Sequence, residues 1–278
     1  MWRYPVGMLI VLVVALVSVR AEAQGFQGKL ITMMNNYQAG GNADIEARIF
    51  QRHLSRHIAG NPTVIVINRP GAGGMVGVNW LASLNAPTDG TLFCYCTLNI
   101  VNSLVDPSFK VNYQDFAYIA GIRQWTAAYG RRDIPPGLKK PADLAHAVDV
   151  FGAGYSPSNS HDMSIKLTLE MIGAKFRMVS GLQSVADINR SILQKETNFT
   201  LSTMPNFMSQ TVSGIIQEGI AMPMWYFPTI GSDGAVEKRS AELEALNIQP
   251  FADVYREVHG RDPVGPKWEA LARVSHHG

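Results

Sequence analysis

Tyr37-Gln38-Ala39-Gly40-Gly41-Asn42-Ala43-Asp44 and, further on, Asn68-Arg69-Pro70-Gly71-Ala72-Gly73-Gly74 decide the fold. Each is a glycine turn set between an apolar strand and a helix. The first follows Leu30-Ile31-Thr32-Met33-Met34 and precedes an amphipathic segment that starts near Ile45; the second follows Thr63-Val64-Ile65-Val66-Ile67 and precedes the helical run of residues 75–84. In an open parallel sheet this order brings helix N-termini and bare backbone N–H groups to the carboxyl ends of neighbouring strands, where anions bind. Two such loops make one wall of a pocket.

Beyond the first loop, Ala43, Ala47, Phe50, Leu54 and Ile58 recur at the spacing of a helix laid on a sheet, with Arg48, Arg52 and Arg56 on the wet face. Asn42 or Asp44 is expected to cap it. Strands are expected over residues 91–98, 115–122 and 125–129. A second α/β alternation then begins: a helix from Pro141, strands at 148–151, 176–179, 199–202 and 220–225, and helices at 161–171, 184–193 and through 214–217. Within it, Gly152-Ala153-Gly154-Tyr155-Ser156-Pro157-Ser158-Asn159-Ser160-His161 again lies between a strand and a helix. It reads either as a cap and turn cluster or as a donor-rich loop that meets ligand charge with hydroxyls and dipoles in place of lysine or arginine. Helical candidates at 251–258 and 266–274 close the chain.

With 278 residues, 46% of them hydrophobic, the chain can bury one large core or two medium ones. Residues 1–23 are a different matter. Arg3, the apolar run of residues 6–19 and Ala21-Glu22-Ala23 before Gln24 form the charged start, apolar core and small-residue cleavage site of a secretory signal peptide. Its removal leaves 22 basic and 21 acidic residues, a balance with no bias toward nucleic acid. Cys94 and Cys96 are the only cysteines and fall on one face of a strand; they read as two small buried apolar residues, ahead of a local disulfide or a zinc site. His53 and His57 lack the glutamate of a metal-binding helix and read as solvated, so neither a metal nor a cofactor is expected.

The runs Ala39-Gly40-Gly41-Asn42-Ala43-Asp44 with Ala47-Arg48, Asn68-Arg69-Pro70-Gly71-Ala72-Gly73-Gly74, Pro87-Thr88-Asp89-Gly90-Thr91-Leu92 and Asp115-Phe116 resemble the substrate-binding receptors of tripartite tricarboxylate transporters, the Bug family, over about residues 30–225. The resemblance implies an α/β protein with the two-lobed type II periplasmic-binding-protein fold and a carboxylate held in the cleft. Lobe one would comprise residues 24–122 and 225–278, lobe two residues 123–224, with hinges near residues 122–123 and 223–226. By position, the ligand would meet Tyr37, Gln38, Ala39, Gly40, Gly41, Asn42, Asp44, Ala72, Gly73 and Gly74 from lobe one. From lobe two it would meet Ser156, Ser158, Asn159, Ser160, His161, Ser180, Gly181, Ser202 and Thr203. Ala43 stands where the family usually has a hydroxyl residue, and Ser202-Thr203 where it often has a carboxylate or amide pair. The chain also ends several tens of residues sooner than the resemblance implies, so lobe one is expected to lack its last helices.

The expected function is that of a monomeric periplasmic receptor that closes on a small organic carboxylate and hands it to membrane permease subunits. A sensor feeding a membrane signalling receptor is the alternative on the same fold. A secreted hydrolase is the alternative of another class, and no G-x-S-x-G nucleophile elbow supports it.

Overall fold

The computed structural model describes residues 25–83, 89–98, 103–104, 106–122, 125–228 and 241–275, without the side chains of residues 42 and 242; the expected signal peptide lies outside these residues. β1 (Leu30–Asn35), β2 (Thr63–Asn68) and β3 (Leu92–Tyr95) form a parallel sheet in the order β2-β1-β3. Asn35 ends β1 level with Asn68 on one side and Tyr95 on the other. The strands run parallel because a helix carries the chain back each time: α1 (Asn42–Leu54) before β2 and α2 (Met75–Ser83) before β3. α1 buries Ala47 against Ile31, Met33 and Val64, with Leu54 and Ile58 packed at the edge. Phe50, expected on the same stripe, is 45% exposed and only leans on Tyr95.

The second sheet has the order β6-β5-β7-β4-β8, built from β4 (Thr126–Arg131), β5 (Val150–Ala153), β6 (Phe176–Val179), β7 (Phe199–Thr203) and β8 (Ala221–Phe227). β4 lies antiparallel to β7 and β8, while β5 pairs in parallel with β6 and β7. α3 (Ser160–Met171) and α4 (Val185–Leu193) are the crossover helices, and the segment expected as a helix from Pro141 is a short 3-10 helix. After β7, one α-helical turn (Met204–Asn206) runs into a π-helix (Phe207–Ile216). α5 (Ala241–Ala245), α6 (Phe251–His259) and α7 (Pro266–Ser275) complete the described chain.

Four expectations are corrected. First, residues 225–227 finish β8, and α5 to α7 pack on the second sheet, although residues 225–278 were assigned to lobe one. Phe251, Val254, Tyr255 and Leu271 join Trp225, Phe227, Leu169 and Met171 in one core, while Leu243 and Ile248 close the opposite face over Ala127 and Tyr226. An apolar sheet face must be covered, and α6 and α7 carry the apolar stripes that cover it. Second, residues 223–226, expected near a hinge, lie inside β8, with Tyr129 beside Pro223 and Ala127 beside Tyr226, and are paired in the sheet. Third, residues 116–122, expected as part of a strand, form no strand and lie outside either sheet, with Ile119 82% exposed. Alternation alone does not make a strand without a partner to pair with. Fourth, Cys94 and Cys96 are joined in a disulfide. Cys96 lies one residue beyond the end of β3, and the Cα atoms stand 5.4 Å apart, within the usual span of a disulfide.

Candidate functional site

The first glycine loop is held from within. Gly41 N–H donates to Gln38 O at 3.2 Å, and Gly40 N–H donates to Asp44 Oδ2 at 2.9 Å. The backbone donors of the two glycines, expected to face a ligand, are therefore used inside the loop. Asp44 is buried and also accepts from Arg48 Nε at 2.9 Å and Asn68 Nδ2 at 2.9 Å, so it braces the loop and presents no free oxygen to a ligand. Burial alone would raise its carboxyl pKa; the bonds from Arg48, Gly40 and Asn68 and the Arg48 charge outweigh that and hold it below the ordinary value. The expected Asp44 cap does not form: Gly41 is the N-cap, and Asp44 reaches back to Gly40. The first helical bond runs from Ile45 N to Gly41 O, so the N–H groups of residues 42–44 point out of the helix end with its positive partial charge. Ala39 and Gly40 are exposed at the loop tip.

The second loop has positive φ at four successive residues, Gly71, Ala72, Gly73 and Gly74. Asn36, buried behind it, donates from Nδ2 to Gly74 O at 3.2 Å and Thr97 O at 3.0 Å and accepts from Thr97 N at 3.2 Å. That one side chain ties together the loops after β1, β2 and β3. A Cβ on Gly74 would collide with Asn36 Nδ2, which is why this position takes glycine.

On the second sheet, the loop between β5 and α3 is built round Asp162, fully buried. Its Oδ1 accepts from Tyr155 N at 2.8 Å and faces His161 Nδ1 at 3.3 Å, and its Oδ2 accepts from Ser180 Oγ at 2.6 Å. Burial opposes ionisation here too, but the bonds from His161, Ser180 and Tyr155 N, with the His161 charge, hold the carboxyl below its ordinary value. Gly154 leaves the space that Asp162 fills. Asn159 caps α3, its Oδ1 accepting from His161 N at 2.8 Å, and His161 Nε2 lies 3.0 Å from Leu201 O. Gly181 N–H donates to Tyr155 O at 3.1 Å, Thr203 Oγ1 accepts from Asn206 at 2.9 Å, and Asn159 N–H donates to Ser156 O at 2.9 Å. Ser202 Oγ is buried with no hydrogen-bond partner.

The two walls meet. Asn159 Nδ2 reaches Gly73 O at 3.4 Å, Ser158 Oγ donates to Asp106 Oδ2 at 3.2 Å, and the Tyr37 and Tyr155 rings pack edge to face with centroids 6.3 Å apart. Tyr37 OH also donates to Gly73 O at 3.4 Å. The structure thus brings Tyr37, Gly73, Ser158 and Asn159 together across the cleft. It sets Asp44, Ser180 and Gly181 behind the loops as braces, and the side chain of Asn42 lies outside the described part. Sequence reasoning missed Asn36, Asp106, Gly154 and Asp162 as parts of the site. Asp162 follows His161 directly in the loop already singled out, so its signal was in view; Asn36 acts through the distant Gly74 and Thr97, and Asp106 reaches the other lobe only through the distant Ser158.

A two-lobed α/β molecule with open sheets, whose cleft lies between loops at the carboxyl ends of both sheets, has the fold of the type II periplasmic binding proteins. No protein-family model matches the sequence, and no curated protein matches it. Solved structures do. MatC (Rpa3494) from Rhodopseudomonas palustris with bound malate superposes with a TM-score of 0.62 at 15% identity, over 83% of this chain and 72% of that one. R. palustris Rpa4515 with adipate gives 0.60 at 16%, over 88% and 97% of the two chains. The periplasmic binding protein BugD gives 0.59 at 17%, over 88% and 81%.

Proposed function

We propose that the chain is an extracytoplasmic solute-binding receptor that captures a small organic carboxylate between its lobes and passes it to the permease subunits of a tripartite tricarboxylate-type transporter. The observation that carries this reading is the meeting of Asn159 and Ser158 with Gly73 and Asp106 across a cleft flanked by the N-terminal ends of α1 and α3. Malate and adipate in two solved structures of the same fold support the carboxylate class. A capture-and-release cycle needs no covalent chemistry. Export by a cleaved signal peptide at residues 1–23 belongs to the same proposal, as does action as a monomer. Among the described residues no helix is long and apolar enough to cross a membrane, and no group of three or more His, Cys, Asp or Glu is placed to hold a metal ion.

The test is a thermal-shift comparison of malate and adipate with their diamides. Ligand at ~100 times its dissociation constant adds roughly 2.7 kcal/mol, and each kcal/mol moves the melting temperature of a chain this size by about 2–4 °C. An acid that raises it by roughly 5–10 °C while its amide does not supports the reading; equal response to acid and amide counts against it.

A further inference from the structure

Cys94 and Cys96 are the only cysteines of the chain and are joined to each other. The ring closes over a sequence separation of 2, so it withdraws little freedom from the unfolded chain and adds little to stability by that route. Its place in the fold gives it another use. Cys94 and Tyr95 are paired with Met34 and Asn35 of β1, and Tyr95 OH donates to Glu46 Oε2 at 2.7 Å, so the strand side of the ring is fixed. Cys96 lies beyond the strand, and Thr97 follows it directly. Thr97 holds Asn36 twice: its N–H donates to Asn36 Oδ1 at 3.2 Å, and its carbonyl accepts from Asn36 Nδ2 at 3.0 Å. The same Nδ2 donates to Gly74 O at 3.2 Å, and the neighbouring Gly73 O receives Tyr37 OH and, across the cleft, Asn159 Nδ2, each at 3.4 Å. One amide side chain therefore ties the disulfide to the loop where the lobes meet. Both cysteines are half-buried, and Thr97 is exposed.

We propose that Cys94–Cys96 is a thiol–disulfide exchange site whose redox state sets the second glycine loop and, with it, capture at the cleft. This adds regulation to the receptor reading and rests on it. The co-reactant is a dithiol. One of its thiolates attacks a sulfur of the pair, forming a mixed disulfide and releasing the other cysteine as a thiolate, which takes up a proton. The second thiolate of the dithiol then closes its own disulfide and frees the remaining cysteine, which is protonated in turn. The chain gains two electrons and two protons, and the dithiol loses the same. No third cysteine competes for the bond. Bridged, the Cα atoms stand 5.4 Å apart, whereas two residues of extended strand span about 6.6 Å, so opening the bond lets the chain lengthen by roughly 1 Å. With Cys94 and Tyr95 held by β1, that change falls on Cys96 and Thr97, and Asn36 loses its fixed partner. Export, on the same reading, puts the site in a compartment where a disulfide persists until a dithiol meets it.

The exported wild-type chain, purified without reductant, tests this beside the double variant Cys94→Ser, Cys96→Ser. Iodoacetamide is expected to label neither cysteine before dithiothreitol and both after it, in protein that keeps its thermal unfolding transition. Reduction is expected to speed hydrogen exchange at Thr97 N–H and in the loop of residues 71–75. It is also expected to weaken malate or adipate, whichever binds the oxidised protein, by about tenfold in calorimetry. Oxidised dithiothreitol restores both readings, and the double variant matches the reduced wild type and ignores either reagent. Free thiols in the exported protein, or a bridge that dithiothreitol leaves intact until the chain unfolds, overturn the exchange site. A reduced protein without an unfolding transition shows a structural bridge and overturns the switch. Unchanged hydrogen exchange and affinity on reduction overturn it too, and leave the receptor reading in place. A wild type that binds neither acid in either state counts against the receptor reading and overturns the link to capture; hydrogen exchange at Thr97 then decides the redox site by itself.

Discussion

At the scale of single residues, the two adjacent loop glycines are not equivalent. Gly40 has φ +79°, a left-handed conformation, whereas Gly41 has φ −75° and needs no glycine for its backbone. A Cβ on Gly41 meets only Gln38 O, at 3.3 Å, so Gly41→Ala is expected to cost under about 1 kcal/mol. Gly74 combines φ +93° with a collision against the amide of Asn36. Gly74→Ala is therefore expected to cost roughly 1–3 kcal/mol or more, read by urea unfolding. The reverse order of the two losses would refute the bracing role given to Asn36. The buried carboxylates of Asp44 and Asp162 carry a pH signature. Both pKa values are depressed in the folded chain, so each contributes stability that is complete above the ordinary carboxylate range and is lost as pH falls through the lower folded value. Asp162→Asn is expected to flatten the acid side of the stability–pH curve while lowering stability at pH 7; an unchanged acid limb would show that Asp162 is not ionised there.

At the scale of elements, the strand–glycine–helix runs were legible because periodicity and turn chemistry both act locally: β1, α1, β2 and α2 stand where residues 30–83 place them, and the alternation from β5 to β8 follows its pattern. The π-helix left no such local trace. Partner choice was not legible. An amphipathic α6 announces that it will be buried, but not on which sheet, because Phe251 meets Trp225 only through the folded arrangement. The same holds for Asn36, whose partners Gly74 and Thr97 lie far along the chain. The packing of α6 and α7 gives a prediction of its own. Phe251 is 1% exposed among Trp225, Phe227, Tyr255 and Trp268. Phe251→Ala is expected to cost about 3–5 kcal/mol. Lys267→Ala, which breaks only an exposed ion pair with Glu170, is expected to cost about 0–1 kcal/mol. Similar losses from both substitutions would mean that these helices are not part of the second lobe's core.

At the scale of the molecule, a few polar contacts join the two lobes, and Asn159 separates two effects that usually travel together. Its Oδ1 caps α3 while its Nδ2 reaches Gly73 O in the opposite lobe. Asn159→Asp keeps the capping oxygen and adds a negative charge at the helix N-terminus, where the macrodipole favours it. The same change sets a carboxylate oxygen against the Gly73 carbonyl, so the cross-lobe contact turns repulsive. The closed form should lose roughly 1 kcal/mol relative to the open one, about a fivefold change in their ratio. On the proposed receptor reading, apparent affinity falls with the closed fraction, because a ligand that touches both lobes must first have them together. The expected result is a protein as stable as the wild type or more so, with a larger radius of gyration by small-angle scattering before ligand is added and weaker binding of the same acid. Loss of stability would make Asn159 chiefly a structural residue of α3. Unchanged scattering and affinity in a folded Asn159→Asp protein would remove the Asn159–Gly73 contact from the closing mechanism and leave Ser158–Asp106 and the tyrosine pair to hold the lobes.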